Sequence, residues 1–192
     1  ITLKPTGTKT WTDNTGTAQD MGVVVMGSGA STPRINLGSN VKVTSLNLNS
    51  SHIFDMDTRT LTLTGSGTAG SRPFINSGTF TPNTGTMVYK GTSDTEIEST
   101  TYNNLTLSPV GTPTYTLGTA GSQTINVKDL TIGNASNALA VNHATWDPAI
   151  NISGDLLLTA SLGTFTKSDA AAVITLKPAG TKTWTDNTGI DI

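Results

Sequence analysis

Hydrophobic side chains recur two residues apart in many short segments of this chain, with Thr, Asn, Ser or Lys between them. A spacing of two places side chains on one face of a β-strand. Turn-forming Gly, Asn, Ser and Pro separate the segments, so the pattern predicts an all-β chain of many short strands. The positions predicted to face inward are Val23/Val25, Ile35/Leu37, Val41/Val43, Leu46/Leu48, Leu61/Leu63, Val88, Leu105/Leu107, Tyr115/Leu117, Ile125/Val127, Leu130/Ile132, Ile150/Ile152, Leu156/Leu158 and Ile174/Leu176.

Helical periodicity is weak along the whole chain. The stretch NASNALAVNHATW (134–146) is the best helix candidate, and SDAAAVI (168–174) is the second. Neither keeps the apolar spacing of three and four residues that an amphipathic helix needs. We therefore expect little helix.

One long segment occurs twice. ITLKPTGTKTWTDNTG at 1–16 returns as ITLKPAGTKTWTDNTG at 174–189, with Thr6 replaced by Ala179. The two copies are offset by 173 residues, and a match of 15 positions in 16 is far beyond coincidence of composition. Internal repeats of this kind indicate a repeat architecture. A start in the middle of a strand pattern also suggests an internal piece of a longer polypeptide.

A weaker repeat divides this period. GTFTPNTGTMVYKGT (78–92) resembles GTFTKSDAAAVITLKPAGT (163–181) at about half the long offset. We therefore predict one full repeat over 1–173, with related halves of roughly 1–86 and 87–173. Residues 174–192 would begin the next repeat.

Two architectures suit many short strands: the stacked coils of a β-solenoid, and tandem β-sandwiches. The chain has 20 glycines and 15 asparagines, yet it contains none of the Asn-Gly, Asp-Gly or Gly-Gly pairs that tight hairpins favour. Three short strands, in TYTLG, QTINV and DLTIG, follow one another within 114–133. Three strands in about 20 to 30 residues match one coil of a three-sided solenoid. We therefore predict a β-solenoid and keep tandem β-sandwiches as the alternative.

The segments GTFTPNTGTMVYKGT (78–92), TYNNLTL (101–107) and QTINVKDLTIG (123–133) also resemble the repeats of very large bacterial surface and secreted proteins. The resemblance covers most of the chain and implies a right-handed parallel β-helix. It further implies an elongated product that is secreted or held at the cell surface. It assigns no functional residue.

Composition limits the choice of partners. The formal net charge is -2 and no basic patch is visible, so nucleic acid is not an expected partner. There is no cysteine, which excludes disulfides and Cys-ligated metals. No apolar run is long enough to span a membrane.

The repeated segment predicts an assembly junction. If each coil hydrogen-bonds the next, we expect the second copy to sit directly above the first, as the base of the next repeat. A period of six to eight coils would advance roughly 30 to 40 Å, at about 4.8 Å for each coil. The residues predicted to form the junction are Ile1, Leu3, Trp11, Ile174, Leu176 and Trp184.

Two acidic clusters are candidate chemical sites. Asp94, Glu96 and Glu98 alternate, so an extended strand would place three carboxylates on one exposed side, where calcium could bind. Asp55 and Asp57 could form a carboxylate pair for polysaccharide cleavage. A solvated strand face or turn is the commoner role of such residues. We predict no catalytic residue and no resident metal, and keep calcium as a possible ligand.

Histidine, tryptophan and threonine have simpler interpretations. His52 and His143 have no neighbouring ligand partner and are expected at loops or on the coil surface. Tryptophans, including Trp146, are expected to pack rather than to stack on sugars. Thr-x-Thr-x-Thr rows could bind ice if they recurred on every coil, which they do not. The rows are Thr8/Thr10/Thr12, Thr60/Thr62/Thr64, Thr112/Thr114/Thr116 and Thr181/Thr183/Thr185.

The favoured hypothesis is a structural one. A near-identical repeat increases length with every unit, whereas catalysis gains little from many copies along a rod. We predict a structural repeat of an extracellular fibre, stalk or giant cell-surface protein, whose partners are neighbouring copies, covalent or stacked. The alternatives are an adhesin that binds surface glycans or ice and, less favoured, a polysaccharide-cleaving enzyme. Asn134 and Asn151 match glycosylation acceptor patterns.

Overall fold

The chain forms a parallel β-solenoid of about seven turns in a computed structural model that describes residues 1–27, 32–134, 136–159, 162–167 and 173–189. One 3-10 turn, Ala69–Ser71, interrupts the strands of this described part. The strands of the first half are β1 (Thr2–Leu3), β2 (Thr8–Trp11), β3 (Val23–Met26), β4 (Arg34–Leu37), β5 (Val41–Val43), β6 (Ser45–Leu48), β7 (Ile53–Asp55), β8 (Thr60–Leu63), β9 (Phe74–Asn76), β10 (Thr79–Thr81) and β11 (Thr86–Tyr89). The later strands are β12 (Thr95–Ile97), β13 (Thr101–Leu107), β14 (Thr114–Leu117), β15 (Thr124–Ile132), β16 (Leu139–Asn142), β17 (Ala149–Ile152), β18 (Leu156–Leu158), β19 (Leu162–Thr166), β20 (Ile174–Leu176) and β21 (Trp184–Asp186).

Every strand pair in the described part is parallel, and the strands form four sheets. The first sheet has the order β1-β3-β6-β9, and the second has β2-β4-β7-β10. The third sheet runs from β5 through β8, β11, β13, β15 and β17 to β20, with β18 and β21 attached beside this path. The fourth sheet has the order β12-β14-β16-β19. Parallel stacking throughout confirms the predicted solenoid and is incompatible with sandwiches of antiparallel hairpins. The handedness of the winding stays a prediction.

One coil is built from successive strands on successive sheets. β3, β4 and β5 follow one another along the chain and lie in the first, second and third sheets respectively. The next coil repeats this order with β6, β7 and β8. The coil therefore has three sides in the first half of the chain, and strands of the same side lie beside one another on successive turns.

The core fills the inside of these coils with alternate residues of each strand. Burial alternates along most strands, and the inward columns are aliphatic with a few aromatic rings. Phe54 and Phe74 are fully buried, and both lie beside the ring of Phe80. Stacking like residues on successive turns buries apolar surface continuously. Each Å² of buried apolar surface contributes about 25 cal/mol of stabilising free energy.

The predicted inward set is correct for most strands and wrong for two. In β3, Val24 and Met26 are fully buried, whereas Val23 is 53% exposed. In β11, Met87 and Tyr89 point into the core and Val88 does not. Three consecutive apolar residues in β3 leave the inward face undetermined by pattern alone, since both choices look apolar.

The set of sheets changes midway along the chain. The first and second sheets end at β9 and β10, and the fourth sheet begins at β12. An isolated parallel bridge joins Gly67, on the preceding turn, to Thr95 in β12, the first strand of the fourth sheet. The best helix candidate, 134–146, contains the strand β16, in agreement with the expectation of little helix. The second helix candidate falls mostly on 168–172, outside the described residues. The division into two related halves stays a prediction.

Candidate assembly interface

The two copies of the repeated segment lie at opposite ends of the solenoid. In the first copy, Leu3 pairs with Met26 and Trp11 pairs with Leu37, both on the following turn. Backbone N–H groups of Val25 and Gly27 donate to the carbonyls of Ile1 and Leu3, each across 2.9 Å. Among the described residues, the strands of this copy pair with the turn that follows it.

The second copy bonds in the opposite direction. Ile174 pairs with Ile150, Leu176 with Ile152, and Trp184 with Leu156, all on the preceding turn. The N–H of Lys177 donates to the Ile152 carbonyl at 2.7 Å. The same sequence thus forms ordered parallel pairing on one side in the first copy and on the other side in the second.

One loop of the segment forms the same hydrogen bonds in both copies. Asp13 Oδ1 accepts hydrogen bonds from the N–H and the hydroxyl of Thr15, at 2.9 and 2.7 Å. Asp186 Oδ1 accepts the equivalent bonds from Thr188, at 2.8 and 2.5 Å. The threonine hydroxyl, followed by its N–H, lowers the pKa of each aspartate. The loop conformation is therefore set by local sequence rather than by position in the stack.

The end at the second copy is apolar and open. Leu176 is 41% exposed and Trp184 is 60% exposed, whereas the equivalent Leu3 and Trp11 are half-buried against the core. A cavity of about 310 Å³ lies at this end. Its lining includes Ile152, Leu156, Phe165, Leu176 and Trp184. These are the inward columns of the solenoid, exposed where the described stack ends.

The predicted junction residues therefore lie in two groups. Ile1, Leu3 and Trp11 belong to one end, and Ile174, Leu176 and Trp184 belong to the other. Sequence pattern did not identify the residues that cover the first group, namely Met26 and Leu37. Only the strand register reveals them.

The acidic trio is a set of internal anchors. Glu96 and Glu98 are 8% and 7% exposed, so the expectation of an exposed face is wrong for both. Glu96 accepts hydrogen bonds from the Ala69 N–H at 2.7 Å and from Trp146 Nε1 at 3.3 Å. Asp94 Oδ1 accepts one from the Thr114 N–H at 2.8 Å. Protein donors thus already use carboxylate oxygens on which the calcium hypothesis depends.

Glu98 belongs to a buried polar cluster with two tyrosines. Arg72 Nε donates to Glu98 Oε2 at 2.7 Å, and the Tyr102 hydroxyl donates to the Glu98 carbonyl at 2.7 Å. The Tyr89 hydroxyl lies 3.2 Å from that of Tyr102. Burial raises the pKa of Glu98, although the hydrogen bond and charge of Arg72 oppose it. Burial also raises the pKa of both tyrosines. This cluster lies where the sheets change and fixes the 3-10 turn to the next coil.

Asp55 and Asp57 do not form an acid–base pair. Asp55 Oδ2 accepts from Arg34 at 2.6 Å, and Asp55 Oδ1 accepts from Asn83 at 2.5 Å. Asp57 lies in the following turn with φ of 52° and donates its N–H to Asp55. The stretch is therefore a strand end and a turn, not a continuous strand with two carboxylates on one face.

Both histidines lie in loops between strands, which is one of the two predicted positions, but neither is exposed on the coil surface. His52 is 1% exposed and lies 3.1 Å, through Nδ1, from the carbonyl of Ser50. His143 is fully buried, and its Nε2 donates to the Pro148 carbonyl at 2.7 Å. Each ring closes a turn. In the described part of the chain, no group of three or more His, Asp or Glu is arranged to hold a metal ion.

The threonine rows do not form a flat array. Thr62 lies between Lys42 and Val88 on neighbouring turns, and Thr116 lies between Glu96 and Asn142. Rows on different sheets cannot present one regular surface to ice.

A polar groove was not predicted from the sequence. It has a volume of about 470 Å³, and its lining includes Asn103, Asn126, Lys128, Asn151 and Lys177. Asn151 Nδ2 donates to Asn126 Oδ1 at 2.9 Å, so two amides on successive turns are paired. The signal for this groove is the register of β15 and β17, which places Asn126 beside Asn151.

No family model, curated protein or solved structure matches this chain. No helix among the described residues has the length and apolar character that crossing a membrane requires.

Proposed function

We propose that this chain is a structural repeat of an extracellular fibre, stalk or giant cell-surface protein, which lengthens by stacking coil upon coil. The observation that supports this proposal most directly is the pairing of one 16-residue segment in two opposite directions. A coil of this sequence has a compatible neighbour below it and another above it. Repeats can therefore follow one another without a gap in the hydrogen-bond ladder.

The apolar columns support the same proposal. Ile152 lies below Leu176, and Met26 lies above the equivalent Leu3. Leu156 lies below Trp184, and Leu37 lies above the equivalent Trp11. Both columns remain apolar across the junction, so a following repeat would bury the side chains that are exposed at the open end.

The test compares chains of one, two and three periods. The longer chains are made by joining further copies of 17–189 after residue 189. We expect the maximum dimension from small-angle X-ray scattering to grow by about 35 Å for each added period, at about 4.8 Å for each turn. An increase in thickness without an increase in length would contradict the proposal.

A pair of junction variants sharpens this test. Leu176→Asp at the internal junction places a charge in an apolar column, and it should separate the rod into two bodies with a flexible joint. Thr175→Asp on the same strand is the matched control, because Thr175 alternates to the outer side of β20. The control should keep the rigid length.

Glycan binding is a second candidate function, favoured by the polar groove. Its asparagine amides offer hydrogen-bond donors and acceptors, and Lys128 and Lys177 add positive charge. A glycan array should then reveal binding that Asn151→Ala removes. A uniformly negative array would exclude the sugars it displays.

A further inference from the structure

The two copies of the repeated segment do not lie on the same side of the solenoid. Trp11 belongs to β2, in the second sheet, which continues through β4. Trp184 belongs to β21, which pairs with β18 in the third sheet. Because β4 and β5 are consecutive strands on the second and third sheets, the segment has moved forward by one side of the coil.

One column of paired residues counts the turns between the copies. Asp20 forms a bridge with Lys42, and from there each residue lies beside its partner on the next turn. The column continues with Thr62, Val88, Thr106, Thr131, Leu157 and Thr185. Asp20 is thus seven turns below Thr185, which is the equivalent of Thr12 in the second copy. The chain from Thr12 to Asp20 supplies one further side.

We infer that each 173-residue period advances seven turns and one additional side of the three-sided coil, so that successive repeats are rotated by about a third of a turn. This inference rests on the proposed repeat fibre and specifies how one repeat docks on the next. Three periods make about 22 turns and restore the original orientation, over about 105 Å at 4.8 Å for each turn.

The same register defines the occupant of the open apolar end. It is the second turn of a following copy, in which Met26 covers Leu176 and Leu37 covers Trp184. The pairs Leu3 with Met26 and Trp11 with Leu37 show this contact within the chain. The 310 Å³ cavity is therefore part of the junction between repeats, and these two residue pairs give the register of that junction.

The rotation is tested by diffraction or electron micrographs of aligned rods built from many periods. A rotated repeat gives layer lines at about 105 Å, with meridional intensity only at about 35 Å, since equivalent units coincide only after three periods. Rods that show the 35 Å repeat alone would overturn the rotation and leave the structural function intact. Chains that fail to lengthen would overturn the function itself.

Tryptophan fluorescence tests the docking register without relying on order in the rods. In a full chain whose Trp11 and Trp146 are changed to Phe, Trp184 should be quenched strongly by acrylamide. In a two-period chain that keeps only this tryptophan, quenching should fall to the level measured for Trp11 alone in the full chain, or below it, because Leu156 also covers Trp184 from the preceding turn. Unchanged quenching would show that Leu37 of the next repeat does not cover Trp184.

Discussion

Arg72 Nε lies 2.7 Å from Oε2 of Glu98, and the two side chains are only 19% and 9% exposed. The pair joins the 3-10 turn to the strand that opens the fourth sheet. Removing one partner of a buried ion pair leaves an uncompensated charge. We expect Arg72→Ala to lower the free energy of unfolding by about 3 kcal/mol, measured by urea denaturation. Lys128→Ala breaks a pair whose side chains are 51% and 31% exposed, and it should cost less than about 1 kcal/mol. Equal losses would contradict the importance of the buried pair.

The pH dependence of stability should contain two opposing contributions. Burial raises the pKa of Glu98 above its unfolded value, so the folded chain holds this proton more tightly. Its contribution is present in full below the ordinary glutamate pKa and is lost as the pH rises through the folded value. Glu98→Gln should remove this decline from a plot of urea midpoint against pH.

Asp20 should behave in the opposite way. Burial tends to raise its pKa, but hydrogen bonds from Thr64, Gly22 and Thr44 outweigh burial and lower the pKa overall. Its contribution is present above the ordinary aspartate pKa and is lost as the pH falls through the folded value. Asp20→Asn should flatten the acid side of the same plot. A variant that alters the alkaline side alone would contradict this assignment.

Neighbouring valines in β3 test the inward register. Val24 is fully buried and Val23 is 53% exposed. Val24→Ala should cost about 2 kcal/mol through lost burial and a residual cavity. Val23→Ala should change the free energy of unfolding by less than about 0.5 kcal/mol. The reverse order would restore the register predicted from the sequence.

Alanine substitutions at two glycines distinguish the effect of a steric clash from the effect of reduced chain flexibility. A Cβ at Gly65 would lie 2.4 Å from the carbonyl oxygen of Thr44 on the previous turn. Gly65→Ala should therefore destabilise the coil by about 1 to 3 kcal/mol, because backbone must move. Gly70, in the 3-10 turn, has no atom within 4 Å of such a Cβ. Gly70→Ala should have a small effect, and thermal unfolding of both variants makes the comparison.

The sequence predicted the architecture because stacking imposes a local rule that recurs along the chain. Alternation identified short strands such as β4 and β5, and the absence of Asn-Gly, Asp-Gly and Gly-Gly pairs correctly disfavoured tight hairpins. Pattern was insufficient where both faces of a strand are apolar, as at Val23 and Val24. It was also insufficient for Glu96 and Glu98, since their burial depends on partners 26 and 27 residues away.

The repeated segment could be recognised from the sequence, but the arrangement of its two copies could not. Identity between 1–16 and 174–189 is a property of sequence alone. The side of the coil that each copy occupies depends on the lengths of all intervening turns. Those lengths vary: the step from Val41 to Leu61 takes 20 residues, and the step from Leu61 to Met87 takes 26. Because small errors in the predicted length of each turn add up, the side of the coil that the second copy occupies cannot be predicted until the strand register is known.

The advance by one side at each repeat has a mechanical consequence. A three-sided rod with one unlike side would bend most easily in a single plane and would adhere to its neighbours along a single edge. When each repeat is rotated by a third of a turn, every face of the rod points in all three directions in succession. The bending stiffness of the rod then becomes nearly equal in all directions. A long filament of such repeats would resist bending by fluid flow equally in every direction. Any adhesive patch would follow a helical path around the filament rather than form a straight stripe.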